Sequence, residues 1–161
     1  MFSKKIEFYR GKDATVIDGL GNLSLSDTLE CGQAFRYEKL VCEGDYVEYL
    51  TVAYGKIIIV GQRKAGELIF YGDFNPDYER AVKSYFAFDT DFEAIRRDIL
   101  SRTDSEWLKS AAECAKGIAI LKQESWETLF SFIISQNNNI PRIRKIIRMI
   151  CAEYGENLAL K

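Results

Sequence analysis

The chain has 161 residues, of which 47% are hydrophobic and 13% aromatic. That excludes a disordered polymer and supplies enough apolar material for one domain or two small ones, with a packed α+β or β-containing fold favoured. A net charge of −2 predicts no bulk attraction to nucleic acid, and the absence of histidine, with four cysteines at no metal-ligand spacing, argues against a zinc site. The opening MFSKKIEFYRGKD has no apolar run long enough for a signal peptide, and no stretch approaches a membrane span, so a reduced, cytoplasmic protein is expected.

The first 72 residues read mostly as strands: Ala34 to Glu38, Tyr46 to Tyr54, Lys56 to Val60 and Glu67 to Tyr71 are rich in Tyr, Val, Ile and Phe. Gly55, Gly61, Gly66 and Gly72 punctuate them, and Tyr54-Gly55-Lys56 reads as a hairpin turn. Strands so closely spaced form an antiparallel sheet. After Asn75-Pro76 the pattern turns helical, with Pro76 suited to a first turn leading to Phe86. Thr90 with Glu93 predicts a capping box for a helix ending near Ser101, and Thr103 with Glu106 another for Trp107 to Ala115, which Gly117 ends.

Trp126 to Ser135 is apolar almost all round, which predicts a helix buried on most sides. The last helix, Ile140 to about Glu153, carries Ile143, Ile146, Ile147 and Ile150 on one face, with Arg144, Lys145 and Arg148 expected on the other. The helical region is short for the burial its first helix asks for, and from packing alone the second half looks unfinished.

Between those two helices lies Gln136-Asn137-Asn138-Asn139-Ile140-Pro141-Arg142. Asn139 fits a helix N-cap, with Pro141 in the first turn. Asn137 and Asn138 are either a tight turn using left-handed backbone or groups that read an unpaired base edge. Residues 137 to 151 hold Arg142, Arg144, Lys145 and Arg148 and no acid, so a +4 segment sits in an otherwise acidic chain. Such a run is either a solvated face or a phosphate- or base-contacting one. A third element is Glu30-Cys31-Gly32-Gln33-Ala34-Phe35-Arg36-Tyr37. Gly32 marks a turn or bulge, or a place where another molecule approaches the main chain and its carbonyl accepts a hydrogen bond. No catalytic constellation is evident, because no serine or cysteine stands beside a base and the acids Asp89 and Asp91 fall at helix starts.

Taken together, these elements resemble one family. Leu29-Glu30-Cys31-Gly32-Gln33-Ala34-Phe35-Arg36-Tyr37 is similar to the "GQ-x-FRW" segment of 8-oxoguanine DNA glycosylases, and Tyr85-Phe86 with Asp89 to its "YF-x-LD" segment. Gly117 to Gln123 resembles "GVRLLRQD", and Phe130 to Ile143 resembles "FSFICSSNNNIARI", in the same order and at similar spacing, with Tyr154-Gly155 fitting the next motif. The resemblance implies a bacterial DNA-repair glycosylase/AP lyase that flips 8-oxoguanine, paired with cytosine, out of duplex DNA and excises it. It also implies a fold: a twisted antiparallel sheet with helices, similar to the TATA-binding protein repeat, over residues 1–116, then the first helices of a helical domain over 117–161.

By the same resemblance, the Gly32 carbonyl reads the N7 hydrogen that 8-oxoguanine has and guanine lacks. Asn137 fills the space vacated in the duplex and contacts the orphaned cytosine, Asn138 stands with it at the DNA, and Arg142 also reads that cytosine through its N3 and O2 acceptors. Asn139 remains the cap. No cofactor and no metal is implied. The family's nucleophilic lysine and its supporting aspartate lie in a helix-hairpin-helix well downstream of the Asn motif, where this sequence offers no "PGVG"-like hairpin, no such aspartate and, beyond Lys145 of the basic run, no lysine but Lys161. The expectation is therefore the N-terminal portion of a longer enzyme, inactive alone, whose exposed faces a dimer partner or exchanged helices would cover. The alternative is a non-catalytic module that binds DNA or another protein.

Overall fold

The computed structural model describes residues 14–158, so the N-terminal stretch read for a leader and the terminal Lys161 lie outside the described residues. Among the described residues, five strands form one antiparallel sheet in the order β1-β5-β4-β3-β2, with β1 Ala14–Ile17, β2 Tyr37–Glu43, β3 Tyr46–Ala53, β4 Lys56–Gln62 and β5 Leu68–Tyr71. The described helices are α1 Leu25–Glu30, between β1 and β2, and then α2 Pro76–Tyr85, α3 Phe92–Arg102, α4 Glu106–Cys114, α5 Ser125–Ser135 and α6 Ile140–Tyr154. The expected α+β class with an antiparallel sheet is what the chain adopts.

Alternation along β3 and β4 explains why the sheet has a helix-covered side. Tyr49, Ala53, Ile58, Val60, Leu68 and Phe70 point to one face, where Leu25 and Leu29 of α1 and Val82, Tyr85 and Phe86 from α2 close over them. Each such side chain contributes about 1.5–3 kcal/mol on full burial. Ala119 and Leu121 belong to the same core, so the segment after α4 is strapped onto the sheet domain before α5 begins.

The turn Tyr54-Gly55 has φ of 49° and 66°, both left-handed, between the paired Ala53 and Lys56. That is the two-residue turn whose twist matches a hairpin. On the other face, Gly61 is required: a Cβ there would lie 2.6 Å from the Tyr46 hydroxyl, whose ring covers the glycine. Tyr46 in turn donates to Glu48 (2.6 Å) and shares a 2.7 Å hydrogen bond with Tyr71.

Several sequence expectations need correction. The strand expected at Ala34 to Glu38 begins only at Tyr37 and continues to Glu43, with an irregularity between Lys39 and Val41; as an edge strand it tolerates the charged residues that masked it. The short β1 and α1 gave no periodic signal. Helix α3 is capped by Asp91, whose side chain accepts from Ala94 N at 2.9 Å, and not by Thr90; Glu93 instead accepts from Asn22 (2.7 Å) and Arg96. Ser105, not Thr103, precedes α4. Helix α5 forms where expected, but only Ser131 is buried, while Trp126 and Phe132 are 70% and 63% exposed.

Candidate nucleic-acid interface

The Asn segment is a compact four-residue link, Gln136 to Asn139, whose three asparagines do three different things. Asn139 caps α6, its Oδ1 accepting from Arg142 N at 3.0 Å, as expected. Asn138 turns back on α5: its Nδ2 donates to the Ile134 carbonyl (2.7 Å) and its main-chain N–H to Ser135 O (3.2 Å). Asn137 holds φ +55°, the left-handed geometry that asparagine tolerates, and its exposed side chain has no hydrogen-bond partner among the described residues. Arg142 is exposed in the first turn of α6, where its guanidinium likewise has no partner among the described residues. The link thus spends two asparagines on the backbone and leaves Asn137 and Arg142 facing outward.

Gly32 arrives at the same place from the other end of the sequence. It has φ +91°, and a Cβ built on it would sit 3.6 Å from Ile140 Cδ1, the first residue of α6. Its carbonyl accepts no hydrogen bond among the described residues. The glycine is half-buried, so this is an available acceptor beside the Asn link rather than an orphaned one in the core.

What holds the glycine there is its neighbour. Gln33 Nε2 donates to the carbonyls of Thr28 (2.9 Å) and Ala119 (2.8 Å), its Oε1 accepts from Leu121 N (2.9 Å), and Gln123 Nε2 donates to the Gln33 main-chain carbonyl at 2.5 Å. Thr28 Oγ1 adds a bond from Ala119 N at 3.1 Å. The strap continues with Lys122 N donating to Tyr85 O (2.9 Å) and Tyr54 O–H donating to Lys122 O (2.6 Å). Arg36 forms a bidentate pair with Glu127 of α5, Nε to Oε1 at 2.7 Å and Nη2 to Oε2. In the segment 30–37, Gln33 and Arg36 therefore anchor, and Gly32 is left free.

Arg144 departs from expectation. It does not project away from the apolar face with Lys145 and Arg148; it folds onto the edge strand, its guanidinium 4.3 Å over the Tyr37 ring and Nη2 donating to the Tyr37 carbonyl at 2.6 Å. Its Nε is buried without a partner. At 100° per residue, position 144 lies on the flank of the helix, between the isoleucine face and its opposite, and the structure turns that flank to β2. Nearby, Glu30 pairs with Lys39 (2.6 Å) and accepts from the Tyr49 hydroxyl (2.6 Å); burial opposes its ionisation, but those two hydrogen bonds prevail and hold its carboxyl below the ordinary range.

A groove of about 460 Å³ lies between α5 and α6, lined by Arg36, Trp126, Glu127, Phe130, Ile147 and Tyr154 among others; Gly32, Asn137 and Arg142 do not line it. The edge formed by Gly32 and the Asn link and this apolar groove are separate surfaces. Among the described residues, no helix is long and apolar enough to cross a membrane.

The chain is 31% identical over 141 residues to the N-glycosylase/DNA lyase of Saccharomyces cerevisiae, covering 83% of this chain and 37% of that protein. Two structures of the Clostridium acetobutylicum 8-oxoguanine glycosylase/lyase superpose on it. The apo form does so at 30% identity and a TM-score of 0.78, covering 93% of this chain and 50% of that one. The complex with double-stranded DNA containing cytosine opposite 8-oxoguanine gives 32% identity and a TM-score of 0.79, over 93% and 49%. MBOgg1 bound to a low-affinity DNA ligand is similar at 32% identity and a TM-score of 0.78, over 92% and 48%. The chain thus spans about half the length of these solved relatives and little more than a third of the yeast one. The family model for the N-terminal domain of 8-oxoguanine DNA glycosylase matches residues 16–129. With the sheet, the strap and most of the Gly32 segment's partners inside that match, the chain belongs to the 8-oxoguanine DNA glycosylase family.

Proposed function

We propose that this chain supplies the recognition half of a DNA glycosylase/AP lyase that excises 8-oxoguanine opposite cytosine from double-stranded DNA by base flipping. The observation that carries this reading is the meeting of Gly32 with Ile140: an unengaged carbonyl on left-handed backbone stands beside a link that presents Asn137 and Arg142 to solvent. In this reading the Gly32 carbonyl accepts from N7–H of a flipped 8-oxoguanine. Guanine has no hydrogen at N7, so the same pocket would set a lone pair against a lone pair and lose the normal base. Asn137 occupies the space the base has left and Arg142 donates to N3 and O2 of the widowed cytosine. Asn138 reaches the DNA only through its Oδ1, since its amide nitrogen is engaged with Ile134.

The nucleophile and its carboxylate have no counterpart in the matched residues, so the chain carries recognition without chemistry. Residues 1–116 form the sheet domain, 117–161 open the helical domain, and the protein works where bacterial DNA is, in the cytoplasm with the nucleoid. A dimer partner or exchanged helices could cover α5 in a chain of this length. The second reading, a non-catalytic module, draws on that exposed apolar helix.

Borohydride trapping on an 8-oxoguanine:cytosine duplex tests the division of labour. The 161-residue chain should give no covalent adduct, and an adduct would refute it. Joined to the catalytic half of a family glycosylase, the chain should restore excision. There Asn137→Ala should impair excision with little loss of stability, and Arg142→Ala should relax the preference for an opposite cytosine; unchanged values would remove those roles.

A further inference from the structure

We infer that Arg142, Lys145 and Arg148 form a ridge on α6 that contacts the phosphate backbone of undamaged duplex DNA. The inference rests on the reading above, because Arg142 heads the ridge and borders the recognition edge. It adds Lys145 and Arg148, and a mode of binding that needs no lesion.

Three cations at i, i+3 and i+6 follow one another at 60° steps around a helix, and these three are exposed on the side away from buried Ile143 and Ile147. They extend over about 9 Å of helix, comparable to two or three phosphates of one strand. Like charges at this spacing repel along a helix unless something neutralises them. Several cations elsewhere on the described surface are neutralised by carboxylates, as in Lys83–Glu79, Arg96–Glu93, Arg102–Asp98 and Lys122–Asp89. On α6 none of the three has a carboxylate partner among the described residues, and no acid occurs between positions 137 and 151. Arg144 on the same helix is the contrast, since it is taken up by Tyr37. The positive end of the α6 dipole adds to the field at Arg142. A membrane surface would need a broad apolar face beside the cations, and here Ile143 and Ile147 are turned inward, while of the exposed large apolar residues of α6, Ile140, Met149 and Tyr154, the helical spacing puts only Met149 on the side of the ridge.

The test is fluorescence anisotropy of the 161-residue chain on an undamaged duplex of about 20 base pairs, from about 20 to about 200 mM KCl. Binding should weaken with salt, and the Lys145→Gln/Arg148→Gln double variant should show a slope shallower by about 1.8 in log K against log salt, two contacts at ~0.9 each. Amide shifts on DNA addition should concentrate in α6, and Arg144→Gln should keep the wild-type slope. The ridge is refuted by absence of saturable binding at the lowest salt, by an unchanged slope in the double variant, by shifts confined to other elements, or by equal, ridge-dependent binding to phosphatidylglycerol vesicles. The duplex carries no lesion, so failure here leaves the Gly32 and Asn137 roles standing. Loss of lesion discrimination in the excision assay would likewise leave the ridge standing.

Discussion

Replacing Gln33 by methionine removes three hydrogen bonds and little volume. The side chain links three main-chain groups that are distant in sequence: the carbonyl of Thr28 at the end of α1, and the carbonyl of Ala119 and N–H of Leu121 in the strap. Each bond is worth about 1 kcal/mol net, and the groups left behind lose more if water cannot reach them. Gln33 is half-buried, and Thr28 O keeps a second contact from the Cys31 thiol at 3.4 Å, so part of the penalty is relieved. The expected loss is about 2–3 kcal/mol, or roughly 5–10 °C in Tm for a chain of this size. Urea unfolding followed by far-UV circular dichroism measures it, and hydrogen exchange of the Leu121 amide localises it. Gln33→Glu should lose at least as much at neutral pH, because a carboxylate would face the Thr28 and Ala119 carbonyls. A loss below about 0.5 kcal/mol for both variants would mean that the strap is held by Ala119 and Leu121 packing alone, and that Gln33 does not anchor Gly32.

Three other outcomes are expected. Gly61→Ala should lose about 1–3 kcal/mol in urea unfolding, because its Cβ would displace the Tyr46 ring from Glu48 and Tyr71. Asn139→Ala should cost about 1 kcal/mol of stability through loss of the α6 cap, and faster amide exchange should be confined to its first turn. Glu30 has a folded-state pKa below its unfolded one, so its contribution is present above the unfolded value and lost as pH falls through the folded value. The wild type's advantage over Glu30→Gln in urea should therefore shrink on acidification, from a small starting value because the Lys39 pair is largely solvated.

The sequence made the sheet legible where both faces are covered. In β4 the run Ile57 to Gly61 is apolar throughout, and the Tyr54-Gly55 turn announces its register. It was less legible at the edge, where Lys39 and Glu43 of β2 look like loop residues because solvent takes one side of the strand. The caps were misread by one or two positions for a related reason: Asp91 and Thr90 both suit an N-cap, and only backbone geometry chooses between them. Within the site, Asn139 could be assigned from spacing, since capping is local. The approach of Gly32 to Ile140 could not, because a contact spanning more than a hundred residues depends on how the strap orients α5 and α6. The motif resemblance pointed to both residues without giving their meeting. It gave no role to Gln33 and Arg36, whose bonds hold the Gly32 segment to the strap and to α5.

That anchoring bears on how the recognition edge keeps its geometry. Helices α5 and α6 carry Asn137 and Arg142, yet apolar burial does little to fix the pair on the sheet: Leu129, Phe130 and Ile133 are 48%, 39% and 57% exposed. Directional contacts do more. Arg36 grips Glu127, Tyr54 N–H donates to Glu124 at 3.1 Å, Arg144 clamps Tyr37, and Gly32 abuts Ile140. Hydrogen bonds and ion pairs are sensitive to distance and angle in a way that area is not, so they set orientation even where they add little net stability. The sheet core and the helix pair should accordingly differ in resistance to opening, with the amides of β3 and β4 protected longest and those of α5 and α6 exchanging first. In the proposed reading, a surface that meets a flipped base then depends on three polar contacts and the Gly32–Ile140 approach, so the anchoring residues Gln33 and Arg36 matter to the Gly32 segment as much as Gly32 itself.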